Sequence, residues 1–203
     1  MSCRALVYSC LFVCACAQPA LQPPPASPQP SAATPRPSAA KSQPSADTSA
    51  NATAAEVALV PIPNARRALP DVITGGKPSA DNLREAKAAG FHTVISLLPE
   101  TETQDEAAQA RELGFAFVSI PVAGPSDLTE ANARHLAEAM DAPGARPLIL
   151  HCASGNRAGA LLALSSYYVD HATPEAALEL GERAGLKGLR DKVAAMLSTP
   201  PGN

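Results

Sequence analysis

The chain has no surplus of positive charge: its 203 residues carry 16 Lys and Arg against 19 Asp and Glu. From residue 56 onward the balance is 13 against 18, near −5 with histidines neutral. A nucleic-acid-binding surface needs clustered basic residues, so nucleic acid is not an expected partner. Long apolar runs are also absent. The most apolar stretch, Ala5 to Ala15, is too short to cross a bilayer as a helix. Cysteine is scarce where a fold could use it. Cys3, Cys10, Cys14 and Cys16 lie in the first 16 residues, and Cys152 stands alone in the rest, which excludes a disulfide there. His92 and His135 have no partners at metal-ligand spacing, so no metal site is expected.

What is present falls into three segments. Residues 1–16 carry one basic residue, Arg4, ahead of the apolar run, in the layout of an export signal. Val13-Cys14-Ala15-Cys16 has the spacing of a bacterial lipobox, which makes Cys16 the candidate lipidated N-terminus and the membrane a partner through that anchor. Ala15-Cys16-Ala17 equally fits ordinary cleavage, giving a soluble secreted or periplasmic form. The resemblance to bacterial lipoproteins, in which aspartate after the lipidated cysteine means inner-membrane retention, implies from the alanine after Cys16 an outer-membrane location facing the periplasm. Residues 17–55 form a linker: between Gln18 and Ala55 there are 9 Pro, 11 Ala and 6 Ser in 38 residues. So little apolar surface cannot offset the entropy of ordering, and the proline content favours an extended tether. Residues 56–203 have the size of one domain with its own core.

Within that domain, apolar strands alternate with helices. A first strand is expected over Leu69 to Thr74, before Gly75-Gly76, then a helix from Ala80 to Ala89 capped by Ser79. His92 to Leu98 reads as a strand, Glu102 to Leu113 as a helix, and Phe115 to Pro121 as a strand. Leu128 to Ala142 is the next helix and Leu148 to Leu150 the next strand. Ala158 to Val169, apolar nearly all round, reads as a central buried helix, followed by helices over Pro174 to Arg183 and Leu186 to Leu197. This alternation implies an α/β fold with a parallel sheet covered on both faces.

The chemistry concentrates in Leu150-His151-Cys152-Ala153-Ser154-Gly155-Asn156-Arg157, where a strand meets a helix through a short loop. Backbone amides around the first turn of a helix, with the positive end of its dipole beneath them, bind oxyanions. The same field favours the thiolate of a cysteine beside it, so Cys152 is a candidate nucleophile. Arg157 adds a planar guanidinium that can hold two anion oxygens at once. Gly155 and Gly159 permit tight turning and close approach. An isolated cysteine is also compatible with simple burial as a small apolar residue; its place in this loop argues for use as a thiol.

These residues resemble the cysteine-dependent protein tyrosine and dual-specificity phosphatase superfamily, in particular its bacterial beta-lactamase-hydrolase-like branch. The resemblance runs from about Leu69 to Leu186, through Thr74-Gly75-Gly76-Lys77-Pro78-Ser79, Gly90-Phe91-His92-Thr93-Val94-Ile95-Ser96-Leu97, Ser119-Ile120-Pro121-Val122 and His151 to Arg157. It implies a three-layer α/β domain with a short, mostly parallel sheet flanked by helices. It also implies a metal-independent, cofactor-free phosphatase acting on phosphotyrosine in a phosphorylated protein or on a small phosphomonoester. Cys152 would be the nucleophile and Arg157 the phosphate clamp, with the amides of Ala153, Ser154, Gly155, Asn156 and Arg157 as the anion cradle. His151 would support the loop, or be a strand-end histidine satisfied by backbone. Asp127 is the candidate general acid, and its other reading is the N-cap of a helix with Glu130 reaching back. The acidic stretch Glu100 to Glu106 offers further acids but reads more simply as a solvated helix start. Asn156 is expected to brace the loop or face solvent, and Tyr167 and Tyr168 to pack at the core or its rim.

Two departures from the family pattern stand out. Four residues separate Cys152 from Arg157 where the phosphatase signature has five, a loop length shared with rhodanese sulfurtransferases. Ala158 also stands where a hydroxyl residue often assists the second step. A sulfurtransferase carrying a persulfide on Cys152, and an inactive anion- or partner-binding lipoprotein, are therefore the alternative functions.

Overall fold

A computed structural model describes residues 57–198. The export signal, Cys16 and the whole linker expected over 17–55 lie outside the described residues. No helix among the described residues is long and apolar enough to cross a membrane.

Five short strands form one sheet in the order β1-β2-β5-β3-β4, namely β1 (Arg66–Leu69), β2 (Val72–Gly75), β3 (Thr93–Ser96), β4 (Ala116–Ser119) and β5 (Leu148–His151). β1 and β2 are antiparallel, and every other pairing is parallel. The chain runs outward through α1 (Ala80–Ala88) and α2 (Glu100–Glu112) to the edge strand β4. It returns through α3 (Glu130–Asp141) to lay β5 between β2 and β3, then adds α4 (Asn156–Tyr168), α5 (Pro174–Arg183) and α6 (Arg190–Leu197). The fold is therefore the three-layer, mostly parallel α/β architecture expected.

β-Branched and aliphatic residues fill the strands because they pack well on a pleated, buried surface. Alternate side chains leave opposite faces. Ile73, Val94 and Ile149 join Leu83, Ala86, Phe91, Ala110 and Phe115 on the α1 and α2 side. Val72, Ile95, Leu148 and Leu150 join the apolar faces of α3 to α6 on the other. Leu148, Ile149 and Leu150 are all fully buried, each adding roughly 1.5–3 kcal/mol of apolar transfer. β5 is thus held by hydrogen bonds on both edges and by a core on both faces, which gives the loop after it a rigid base.

Several expectations need correction. The strand expected over Leu69 to Thr74 is a hairpin bent at Pro70 and Asp71, since Pro70 lacks the N–H a continuous ladder would need. α3 is capped by Thr129, whose hydroxyl accepts from the Asn132 N–H at 3.2 Å, so Asp127 is not its N-cap. α6 starts at Arg190, four residues later than expected. α4 starts at Asn156, two residues earlier, because Gly155 turns into it at φ +94°, a conformation costly for other residues. Ser79 caps α1 as expected, in a reciprocal box with Asn82.

Candidate active site

The first half of the site is the end of β5. The Cys152 N–H donates to the Gly75 carbonyl of β2 at 3.2 Å, and the Leu97 N–H after β3 donates to the His151 carbonyl at 2.9 Å. Both neighbouring strands therefore hold the chain until it enters the loop. Gly76 and Ser154 form an antiparallel bridge, and the Asn64 side chain donates to the Ser154 carbonyl at 3.4 Å. No side chain fits at Gly76, where a Cβ would lie 2.9 Å from the Ala153 carbonyl oxygen. The Gly75-Gly76 pair expected to end a strand thus also brings β2 against the loop.

The second half is the start of α4. The Gly155 N–H points at the Cys152 sulfur, 3.2 Å away, and Cys152 is only 1 % exposed. The first hydrogen bond of α4 runs from the Gly159 N–H to the Gly155 carbonyl. The amides of Asn156, Arg157 and Ala158 precede it, so they lie in the turn whose N–H groups have no partner within the helix. Sulfur and helix N-terminus therefore meet as the residue pattern suggested. The Asn156 Oδ1 accepts from the Lys187 N–H at 2.8 Å, which fastens the loop to the segment between α5 and α6. It braces the loop rather than facing solvent.

Arg157, half-buried, donates through Nη1 to the Val122 carbonyl, a residue of the β4–α3 connection. That connection also carries Asp127 in a 3-10 turn over Pro125–Asp127. The Asp127 Oδ2 accepts from the Ala123 N–H at 2.8 Å and the Gly124 N–H at 3.2 Å, and the Ser126 hydroxyl donates to Oδ1 at 3.3 Å. These backbone donors hold its carboxyl below the usual carboxylate range, despite a small opposing effect of burial. In this arrangement Asp127 is ionised and occupied within its own loop, the opposite of the protonated state a general acid needs.

The residue that sequence reasoning missed is Glu106. It was expected to be solvated, yet it is 4 % exposed and its Oε1 lies 2.7 Å from the His151 Nε2, inside ion-pair distance but without the alignment of a full hydrogen bond. The signal was there in the helical period: Thr103, Glu106, Ala107 and Ala110 are the buried face of α2, at spacings of three and four. His151 points to that face because it alternates with Leu150 along β5, as Ile149 does. Its other nitrogen, Nδ1, is 3.4 Å from the Cys152 carbonyl oxygen.

The remaining candidates fall outside the site. The His92 Nδ1 lies 3.1 Å from the Gly144 carbonyl oxygen, and His135 is exposed on α3. Tyr167 and Tyr168 pack edge to face at 5.1 Å, Tyr168 within the core. No group of three or more His, Cys, Asp or Glu able to hold a metal ion occurs among the described residues.

Residues 64–192 match the family model described as a DSP-PTPase phosphatase fused to NAD+ kinase. No curated protein matches the chain. Among solved structures, P. aeruginosa TpbA is similar over 72% of this chain and 90% of its own, at 21% identity and TM-score 0.54. The core catalytic domain of the S. cerevisiae PP-IP phosphatase Siw14 is similar over 69% of this chain and 88% of its own, at 16% identity and TM-score 0.55. TpbA has also been solved in complex with pTyr. At these identities the likeness is one of fold.

Proposed function

Because the chain belongs to the family of DSP-PTPase phosphatases described as fused to NAD+ kinase, we propose that it hydrolyses phosphotyrosine or another small phosphomonoester through a phosphocysteine on Cys152. The observation that carries this reading is the Cys152 sulfur facing the Gly155 amide at the N-terminus of α4, with Arg157 in the first turn of that helix. The pTyr complex of TpbA supports a phosphomonoester as the substrate class, and the PP-IP phosphatase activity named for Siw14 supports phosphoryl hydrolysis more broadly.

In the first step the Cys152 thiolate attacks phosphorus and the bond to the leaving oxygen breaks. Arg157 and the amides of 153–157 stabilise charge on the equatorial oxygens, a preorganised electrostatic role. Anchoring one guanidinium nitrogen on the Val122 carbonyl leaves the others for the anion. Asp127 donates the proton to the leaving oxygen. To do so it must first leave the Ala123 and Gly124 amides, so its loop rearranges over bound substrate. Water then hydrolyses the phosphocysteine, without help from a hydroxyl at position 158. Export through residues 1–16, with lipid attachment at Cys16 and an outer-membrane location facing the periplasm, completes the proposal on sequence grounds alone.

The test is hydrolysis of p-nitrophenyl phosphate by the purified chain, with thiosulfate-to-cyanide transfer measured in parallel. Phosphatase turnover that disappears in Cys152→Ser is the expected result. Turnover surviving in Cys152→Ser would overturn the nucleophile. Thiocyanate formation without phosphatase turnover would favour the sulfurtransferase suggested by the four-residue spacing. Phosphate binding by calorimetry with neither reaction would favour the inactive binding module.

A further inference from the structure

We propose that Glu106 is a positioning residue of the nucleophile: it fixes the His151 ring, and through it the first peptide of the anion loop. The inference rests on the reading of Cys152 as the nucleophile and adds a residue that neither the loop motif nor the fold supplies.

The argument starts from burial. Glu106 Oε1 and Oε2 have no hydrogen-bond partner among the described residues, while the His151 Nε2 lies 2.7 Å from Oε1. An ionised carboxylate so placed is costly unless a positive group compensates it. His151 has an acceptor beside each nitrogen, the Glu106 carboxylate at Nε2 and the Cys152 carbonyl at Nδ1. A ring with a proton on both nitrogens presents a donor to the Cys152 carbonyl and a positive charge to the Glu106 carboxylate, which stands within ion-pair distance rather than in hydrogen-bond alignment. The pair is then imidazolium and carboxylate, neutral in sum, with the positive end nearer Cys152.

Two consequences reach the loop. In a trans peptide the carbonyl and the following N–H point in opposite directions. A ring that holds the Cys152 carbonyl toward α2 therefore turns the Ala153 N–H away from it, toward the face where the helix amides of α4 gather. The positive end of the pair also favours the Cys152 thiolate across that peptide. The register sets Ser96 of β3 and Gly75 of β2 beside His151, and neither carries charge. On the loop side stand Cys152 itself and Arg157, which is tied to Val122. Lys77, from the β2–α1 connection, is engaged at the Glu102 carbonyl in the first turn of α2, 2.6 Å away.

The experiment uses the full chain and two readouts that need no turnover, so it stands apart from whether the protein is a phosphatase. The ring-nitrogen chemical shifts of His151 are measured near pH 7, and thiolate absorbance near 240 nm is titrated as the difference from Cys152→Ala, which cancels the other cysteines. His151 is expected to show both nitrogens protonated. Glu106→Gln, which keeps the shape and removes the charge, is expected to leave one ring nitrogen bare and to raise the thiolate midpoint by about one pH unit. In a His151→Asn background Glu106→Gln is expected to leave the midpoint where that background has it. A neutral His151 ring in the unmutated chain, obtainable even where a variant does not fold, would overturn the proposal. So would an unmoved midpoint in Glu106→Gln, or an equal shift with His151 absent.

Discussion

Replacing Gly159 by alanine would place a methyl group 2.4 Å from the Leu186 nitrogen and 2.6 Å from the Gly181 carbonyl oxygen. Both obstacles are backbone, so no side chain can rotate out of the way. Restoring an ordinary contact of about 3.4 Å requires α5 and the turn at Leu186 to move from α4 by roughly 1 Å. Gly181 faces the same crossing, with a Cβ there meeting the Ala163 Cβ at 2.9 Å, so the movement is resisted from both helices. Overpacking of this kind costs about 3 kcal/mol, and alanine returns about 1 kcal/mol over glycine as a helix former. The net loss is about 2 kcal/mol, or roughly 5–8 °C in Tm for a domain of this size. The same displacement pulls Lys187 from the Asn156 side chain, so phosphatase activity should fall along with stability. Thermal unfolding followed by circular dichroism, alongside p-nitrophenyl phosphate hydrolysis, reads both. Gly124→Ala is the control, because nothing lies within 4 Å of a Cβ there. A Gly159→Ala chain as stable as the parent, or more so, would show that helix propensity decides and that the close crossing of α4 and α5 does not.

Arg157→Lys keeps the charge but loses the planar pair of donors, and kcat/KM for p-nitrophenyl phosphate should fall at least tenfold; an unchanged value would remove the clamp from the mechanism. Asn156→Ala should cost about 1 kcal/mol in urea unfolding, because the Lys187 N–H loses its acceptor, and a loss indistinguishable from zero would mean that solvent replaces the bond. Asp127 is held below its usual range, so its contribution to stability is present above about pH 4 and is lost as pH falls through the lower folded value. The stability difference between the parent chain and Asp127→Asn should therefore be constant at neutral pH and close in strong acid; a gap that widened there would reverse the sign. If Asp127 also donates the proton, Asp127→Asn should slow phenyl phosphate hydrolysis far more than p-nitrophenyl phosphate hydrolysis, and equal effects on both would leave it as a brace of its loop.

Much of the fold was legible because it is written in short-range patterns. Ser79 before Ala80 is a cap, Thr93-Val94-Ile95 is a strand, and the apolar circumference of Ala158 to Val169 marks a helix that meets core on all sides. What failed depends on partners distant in sequence. Pro70 and Asp71 bend a hairpin whose second strand is recognised only once it pairs with β5. Thr129 and Asp127 are both competent caps, and the choice went to Thr129 because the Ala123 and Gly124 amides had already claimed the aspartate. Glu106 looked solvated because its neighbours in sequence are polar, while its neighbour in space, His151, lies 45 positions further on.

The short spacing between Cys152 and Arg157 follows the same logic. One residue fewer in the loop leaves less chain to carry the backbone from the sheet to the first turn of α4, and three features provide the turn. Gly155 adopts φ +94°, which reverses the backbone within a single residue. The bridge from Gly76 holds Ser154 against β2, and the Gly155 N–H closes back on the cysteine sulfur. The glycines at 75, 76 and 155 are thus a single device, because a Cβ on Gly75 would lie 2.7 Å from Ile62 and a Cβ on Gly76 would strike the Ala153 carbonyl. The stretch that presses on them, with Val60 and Ile62 buried and the Pro63 carbonyl accepting from the Gly76 N–H at 2.6 Å, precedes the first strand. The loop from Cys152 to Arg157 is therefore shaped from behind by the segment that leads into the domain, and a truncation that removed residues 57–63 would loosen that loop without touching any residue of the motif.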